Sequence, residues 1–367
     1  MDDSIYIRAP GRVCLFGEHQ DYLGFPVIAA AINCYIFIKA RESLSSHPNL
    51  NFKVSMPDID QEETVVIPPQ DSFLDYKIKR DYLRSGINLA KHEGAAWTNS
   101  WNIKITGNIP IKAGVSSSSA FVIAWLIFLF HAAKKKVSIE RLAILGYLAE
   151  VEEFKEPGGQ MDQFTSSYGK IVYVESRPSF KATSLFSNLE GFILANSGIE
   201  KDTVRDLHKV KAMALSSFKS IRESLVDFDR FTTPLEKVQP FLSSLSAEEQ
   251  KALEGQLISR DLTQEALKLF NAKKFNHILF GQLLSKHHKI LTEKICVSVP
   301  TIDRMVDIAI DAGALGAKIN GSGFGGTMFA YAPKKQIEVL EALSEAGFES
   351  WIIDISSGAE IVQKNSS

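Results

Sequence analysis

The chain has little cysteine, little net charge and no long apolar run. Of 367 residues only three are cysteines, Cys14, Cys34 and Cys296. An odd count with no metal-ligand spacing excludes a disulfide framework and a zinc knuckle, and points to free thiols in a reducing compartment. Net charge is −2, from 41 basic and 43 acidic residues, so nothing draws the whole molecule to nucleic acid or to an anionic membrane. The most apolar segment, residues 121–133, is interrupted by His131 and falls short of the ~20 residues that span a bilayer. The start, Met1-Asp2-Asp3-Ser4, lacks the basic end and apolar core of a signal peptide. The expectation is a cytoplasmic chain, monomer or homodimer, without nucleic-acid or membrane partners. A length of 367 residues with 45% hydrophobic residues allows two domains with ample cores.

Against that background residues 107–120 stand out: Gly-Asn-Ile-Pro-Ile-Lys-Ala-Gly-Val-Ser-Ser-Ser-Ser-Ala. A small-residue loop with four consecutive hydroxyls runs into an apolar helix. The start of a helix leaves N–H groups unpaired, and the helix dipole adds partial positive charge there. A phosphate chain suits such a place, because small side chains let the backbone approach it. The loop does not match Gly-x-x-x-x-Gly-Lys-Ser/Thr, and serines are also ordinary N-caps. Alone, it reads equally as a capped helix.

Alternation and β-branched runs predict strands over 5–15, 26–40, 51–55, 63–67, 101–105, 170–176 and 191–197. Helices are predicted over 77–93, 121–133 and 137–154, the last with Ser138 as N-cap. From about residue 201 the chain turns to charged amphipathic helices over 201–225, 248–269, 277–292 and 299–312. A strand at 317–319, a glycine-rich turn at 321–326, a strand at 327–332, a helix at 335–346 and a strand at 351–354 follow. The fold class is α+β, with a mixed, β-rich first half and a helix-rich second half. The division is expected near residue 190, giving units 1–190 and 191–367.

Three further segments carry polar groups in a pattern that suits chemistry. Gly17-Glu18-His19-Gln20-Asp21 lies between two apolar strands, soon after Arg12. Carboxylates accept from hydroxyls and arginine donates, so the cluster suits a hydroxyl-rich small molecule, although a solvated turn has the same composition. Asp162 follows a Gly-rich loop, and Glu150 lies twelve residues before it. A carboxylate beside an arginine stays ionised and would orient or deprotonate a hydroxyl; a second one near phosphates would complete a magnesium site. Glu150 also reads as one more helix acid beside Glu152 and Glu153. Gly321-Ser322-Gly323-Phe324-Gly325-Gly326 permits close backbone approach, or simply makes a tight hairpin.

Together these segments resemble the GHMP small-molecule kinase superfamily. Its three motifs occur in order: Ala9-Pro10-Gly11-Arg12-Val13-Cys14-Leu15-Phe16-Gly17-Glu18-His19, then residues 110–120, then Lys318-Ile319-Asn320-Gly321-Ser322-Gly323-Phe324-Gly325-Gly326. Galactokinases are the most similar members. Gly17-Glu18-His19-Gln20-Asp21-Tyr22 is close to their Gly-Glu-His-Thr-Asp-Tyr, and Gly159-Gln160-Met161-Asp162-Gln163 to their Gly-Ile-Met-Asp-Gln.

The resemblance implies a two-domain GHMP fold, with an N-terminal mixed β/α domain, a helix-rich ferredoxin-like C-terminal domain and a cleft between. It implies ATP with magnesium, the phosphates over Ala113, Gly114, Val115, Ser116, Ser117, Ser118, Ser119 and Ala120, and the metal on Ser118 and Glu150. Arg12 and Asp162 would be catalytic. Glu18, His19, Asp21, His208 and Gly323 would meet a sugar, whose hydroxyl, the anomeric one, would be phosphorylated. His208 stands where galactokinases have a sugar-contacting tyrosine, and Gln20 and Leu23 replace their Thr and Asn, which implies a sugar other than galactose. A mevalonate-kinase-like alcohol kinase and a non-catalytic sugar- and ATP-binding regulator are the alternatives.

Overall fold

The computed structural model describes residues 4–43, 49–110, 114–185, 189–200 and 203–362. The first half builds an eight-stranded sheet. β1 (Ile5–Phe16) pairs antiparallel with β2 (Val27–Ser43), and β2 with β5 (Ser100–Gly107). β3 (Asn51–Met56) runs parallel to β5 and carries β4 (Gln61–Val66) at the edge. β6 (Ile171–Glu175) continues from the other end of β2 and holds β7 (Lys181–Leu185), a strand the sequence pattern did not predict.

Helices cover one face of this sheet. α1 (Tyr82–His92) starts at Asp81, whose carboxylate accepts from the Arg84 N–H, so the helix predicted from residue 77 begins five residues later. α2 (Ser117–Ala132) is largely buried, with Ser118 and His131 exposed near its ends, because between them its sequence has no polar face to show to water. It packs on β1 and β2 and is enclosed by α1, α3 (Ile139–Tyr147) and α4 (Met161–Tyr168). After α3 the chain widens into a π-helical turn, Leu148–Glu152.

The second half contributes a four-stranded antiparallel sheet. β8 (Phe192–Asn196) is flanked by β10 (Thr327–Tyr331) and β11 (Glu349–Ile353), and β9 (Gly316–Ile319) lies outside β10. Around it lie α5 (Thr203–Ser224), α6 (Leu235–Val238), α7 (Ala247–Phe270), α8 (His277–Glu293), α9 (Pro300–Asp311) and α10 (Gln336–Glu345). α7 opens with a capping box, Ser246 against Glu249.

The two halves are not sealed from each other. One apolar cluster runs from Ile7 and Phe16 through Trp125 and Phe128 to Phe192, Phe280 and Tyr331. The unit expected at 191–367 also loses its end: β12 (Glu360–Ile361) returns to pair with β1, and Arg8 grips Glu360 at 2.8 Å. A two-residue strand has too little periodicity to be legible in sequence.

Candidate active site

A cleft of about 320 Å³ opens where the two halves meet. One end is formed by Arg12 on β1, the start of α2 and the start of α4. The Arg12 guanidinium forks onto Asp162, Nε to Oδ1 at 2.7 Å and Nη2 to Oδ2 at 3.0 Å, and its Nη1 donates to the Gly114 carbonyl at 2.6 Å. Ser116 Oγ donates to Asp162 Oδ2 at 2.5 Å. Burial alone would lower the Arg12 pKa, but Asp162 raises it, so the guanidinium stays charged. Ser116 is the N-cap of α2 with φ +62°, a conformation costly for a residue with a side chain. His19 and Arg80, also lining the cleft, share that conformation. Clustering of such residues is typical of functional sites.

Glu150 sits on the π-helical turn, nearly buried. Gln163 Nε2 donates to it at 2.7 Å, and the nearby hydroxyls of Ser118 and Ser119 favour its charged form. Burial pushes its carboxyl pKa up, and it forms no ion pair among the described residues. The described residues hold no cluster of three or more His, Cys, Asp or Glu that would cage a metal by itself. One buried carboxylate beside a hydroxyl fits magnesium, which takes one or two protein oxygens and fills the rest with water and phosphate.

The other end of the cleft is built by the turn between β1 and β2. Asp21 is buried, and its Oδ1 and Oδ2 accept from the N–H groups of Tyr22 at 2.8 Å and Met161 at 3.2 Å. Burial, with the nearby Asp162, raises its pKa from 3.8 to about 6. Gly159 must be glycine: a Cβ there would stand 2.2 Å from Asp21 Oδ2. The turn is anchored from the second half. Gln20 Nε2 donates to the carbonyl and the side-chain oxygen of Gln256 on α7, at 2.9 and 2.8 Å. Leu23 and Phe25 pack with Phe218, Leu253 and Leu257.

Glu18 touches the cleft but is turned to the seam between the motifs. Lys318, fully buried on β9, pairs with Glu18 Oε1 and donates to the carbonyls of Cys14 and Ile319, each at 2.9 Å. His287 Nδ1 stands 3.7 Å from Glu18 Oε2, and burial, then Lys318, hold that imidazole neutral. Asn320 ties all three motifs: its Oδ1 accepts from the Cys14 N–H at 2.9 Å and its Nδ2 donates to the Gly114 carbonyl at 3.0 Å.

Arg12, Glu18, His19, Asp21, Gly114, Ser116, Ser117, Ser118, Ser119, Glu150 and Asp162 therefore line one cleft. Val115 and Ala120 are buried in the core instead; Val115 serves through its carbonyl, which accepts from the Arg12 N–H at 3.1 Å. Ala113 lies outside the described residues. Two expectations are corrected. His208 is exposed on α5 and does not line the cleft; helical rotation presents Val204 and Leu207 there. Gly323 packs against the second half rather than the cleft: a Cβ on it would meet the Val297 carbonyl at 2.4 Å, and Gly321 and Ser322 line the cleft in its place. Lys318, Asn320 and Ser322 lay within a motif whose polar residues had no assigned work. Arg80, which faces the cleft beside Glu156, carried no sequence signal, being one more surface-type ion pair.

Three family models match the chain: "GHMP kinases N terminal domain" over residues 81–170, "GHMP kinases C terminal" over 265–349, and "Galactokinase galactose-binding signature" over 2–42. The chain belongs to the GHMP kinases and is an ATP-dependent small-molecule kinase. Its relatives include enzymes of two activities. The mevalonate kinase of Pyrococcus abyssi is 27% identical over 96% of each chain. The galactokinase of Thermococcus kodakarensis is 28% identical over 88% of each. In fold, the Lactococcus lactis galactokinase complexed with galactose superposes with a TM-score of 0.83, at 21% identity, over 98% of this chain and 95% of that one. The described residues include no helix long and apolar enough to cross a membrane.

Proposed function

We propose that the protein transfers the γ-phosphoryl group of ATP to the anomeric hydroxyl of a monosaccharide, giving a sugar 1-phosphate. The observation that carries this is the Arg12–Asp162 fork, joined by Ser116 at the N-terminus of α2. Phosphoryl transfer asks mainly for positioning and for stabilisation of spread negative charge. The start of α2 supplies N–H groups and a positive dipole end for the phosphates, from Gly114 to Ser119. Ser118 and Glu150 would hold the magnesium ion, which neutralises phosphate charge when bound. Arg12 faces the transferring group. Asp162 orients the acceptor hydroxyl and receives its proton as the new oxygen–phosphorus bond forms and the bond to ADP breaks. Its side chain keeps 26% exposure, so it accepts from Arg12 and Ser116 and still presents lone pairs to the cleft.

A sugar is favoured as acceptor by the galactose-binding signature, which spans Arg12, Glu18, His19 and Asp21. Asp21 and His19 offer hydrogen-bonding groups suited to several hydroxyls. An acceptor with its own carboxylate, such as mevalonate, would meet Asp21 and Asp162, while Arg12 is already engaged by Asp162 and Arg80 by Glu156. The mevalonate kinase relatives keep that acceptor as the second reading.

The test is ADP release from Mg-ATP with a panel of galactose, N-acetylhexosamines, uronic acids, arabinose, heptoses and mevalonate. A sugar of the panel should turn over and lose its reducing end, as phosphorylation at the anomeric position requires. Turnover with mevalonate alone selects the second reading. Sugar and ATP binding with no turnover would make the protein a regulator instead.

A further inference from the structure

The outer face of the eight-stranded sheet carries a feature separate from the cleft. β2, β5, β3 and β4 are neighbours, and their pairing lays two rows of side chains across them. One row reads Lys39, Lys104, Ser55, Glu62; the next reads Arg41, Asn102, Lys53, Thr64. Neighbours within a row stand about 4.8 Å apart, and the rows about 6.8 Å apart. Lys39, Arg41, Lys53 and Lys104 are all exposed, while Ile38, Ala40, Phe52, Val54 and Ile103 between them point into the core. The same residues line a concavity of about 540 Å³, within the size range of small-molecule sites.

The face brings like charges together. Lys39 lies directly across from Lys104, and like charges opposed on neighbouring strands destabilise a sheet. The nearby acids give little relief to Arg41, Lys53 and Lys104. Glu63 is committed to Arg84 and Lys77, and Glu62 accepts from Ser55 Oγ at 3.2 Å at the far end of its row. Arg41, Lys53 and Lys104 form no ion pair among the described residues. A chain of net charge −2 thus gathers four cations on one small face.

We propose that this face binds a small anion carrying two or more phosphate groups, at a site distinct from the kinase cleft. Lys39 and Lys104 would hold one phosphate and Arg41 and Lys53 the next, with the Asn102 amide donating between them. The row spacing matches neighbouring phosphates on one small molecule. A protein partner fits poorly, because interface cores are depleted of lysine and rely on apolar or aromatic anchors. Here no aromatic among the described residues lines the concavity, and Tyr6, paired with Lys39 across β1 and β2, lies outside it with Lys39 Nζ 5.3 Å from its ring centre.

The experiment is calorimetric titration of inorganic pyrophosphate into the full chain, with the cleft saturated by ADP, alongside thermal melting. One pyrophosphate should bind per chain, more weakly as salt rises. Lys53→Gln with Lys104→Gln should weaken it roughly tenfold or more, the loss of two charge-assisted contacts. Lys104→Gln alone should raise the melting temperature of the free protein and reduce the further rise caused by pyrophosphate. No binding with the cleft filled, or equal binding by the double variant, overturns the proposal. Binding of a polyglutamate peptide without binding of pyrophosphate also overturns it, in favour of an acidic protein partner.

Discussion

The two ends of the cleft, proposed to take phosphate and acceptor respectively, are built in different ways. The phosphate end is assembled from chain starts and turns of the first half: Arg12, the start of α2, the π-helical turn and the start of α4. Its polar groups bond to one another directly, as in the Arg12–Asp162–Ser116 set. The acceptor end depends on the second half. Gln20 hangs from Gln256, Leu23 and Phe25 are packed by α5 and α7, and Glu18 is locked by Lys318. The first end is local machinery; the second is a turn held in place from a distance. On the proposed reading, substitutions far from the turn would alter acceptor binding while leaving the Arg12–Asp162–Ser116 set intact.

The sharpest test of the phosphate end is Asp162→Asn. Turnover should fall by about 10²–10⁴-fold, the usual worth of a positioned proton acceptor, with nucleotide affinity little changed in a fluorescent-nucleotide titration. Retained turnover would remove Asp162 from the mechanism. At the seam, Lys318→Met leaves the buried Glu18 carboxylate without its cation. A loss of about 3–5 kcal/mol is expected in denaturant unfolding, and Glu18→Gln in the same chain should recover most of it. If Lys318→Met melts like the wild type, the two halves are not held together there.

Acidity separates the two ends further. Asp21 titrates near 6 when folded against 3.8 ordinarily. A carboxyl raised in this way binds its proton more readily in the folded state. Ionised Asp21 therefore costs stability above about pH 6, and that cost fades as pH falls through 6 toward 3.8. Acceptor binding should run the opposite way, with KM for the sugar rising as pH drops through about 6. Asp21→Asn should flatten that profile; an inflection that survives belongs to another group. The smallest effects are expected from a contrasting pair. Ser322, whose Oγ is buried in the cleft wall without a partner, should raise KM roughly fivefold when changed to alanine, one hydrogen bond's worth. Exposed His208 should tolerate His208→Tyr with the substrate preference unaltered, and a shifted preference would bring α5 closer to the acceptor than its exposure indicates.

Much of the phosphate end was legible in the sequence. Small residues, four hydroxyls and an apolar helix lie in one continuous stretch, and a motif of that kind keeps its local geometry wherever it is placed. The long helices were legible too, since α5, α7, α8 and α9 carry strong amphipathic patterns over many turns. Errors fell where pattern is short or where a terminus is set by a cap. β7 and β12 are five and two residues long. Asp81 starts α1 later than its apolar spacing suggests.

The acceptor end was legible only as a list of polar residues. Glu18, His19 and Asp21 are adjacent in sequence, yet Glu18 serves the seam while Asp21 is presented beside Asp162. His208 and Leu207 are neighbours too, and a single step of helical rotation puts one in solvent and the other on the cleft.

By itself the sequence determined the family, through three ordered motifs that resemble it, and the fold class and the order of the chemical groups, which rest on local composition and periodicity. The tertiary structure decided which of those groups meet. Lys318 reaches Glu18 across 300 residues, and Asp162 reaches Arg12 across 150. A buried charge must find its partner wherever the packed core brings one near, and no spacing along the chain encodes that distance.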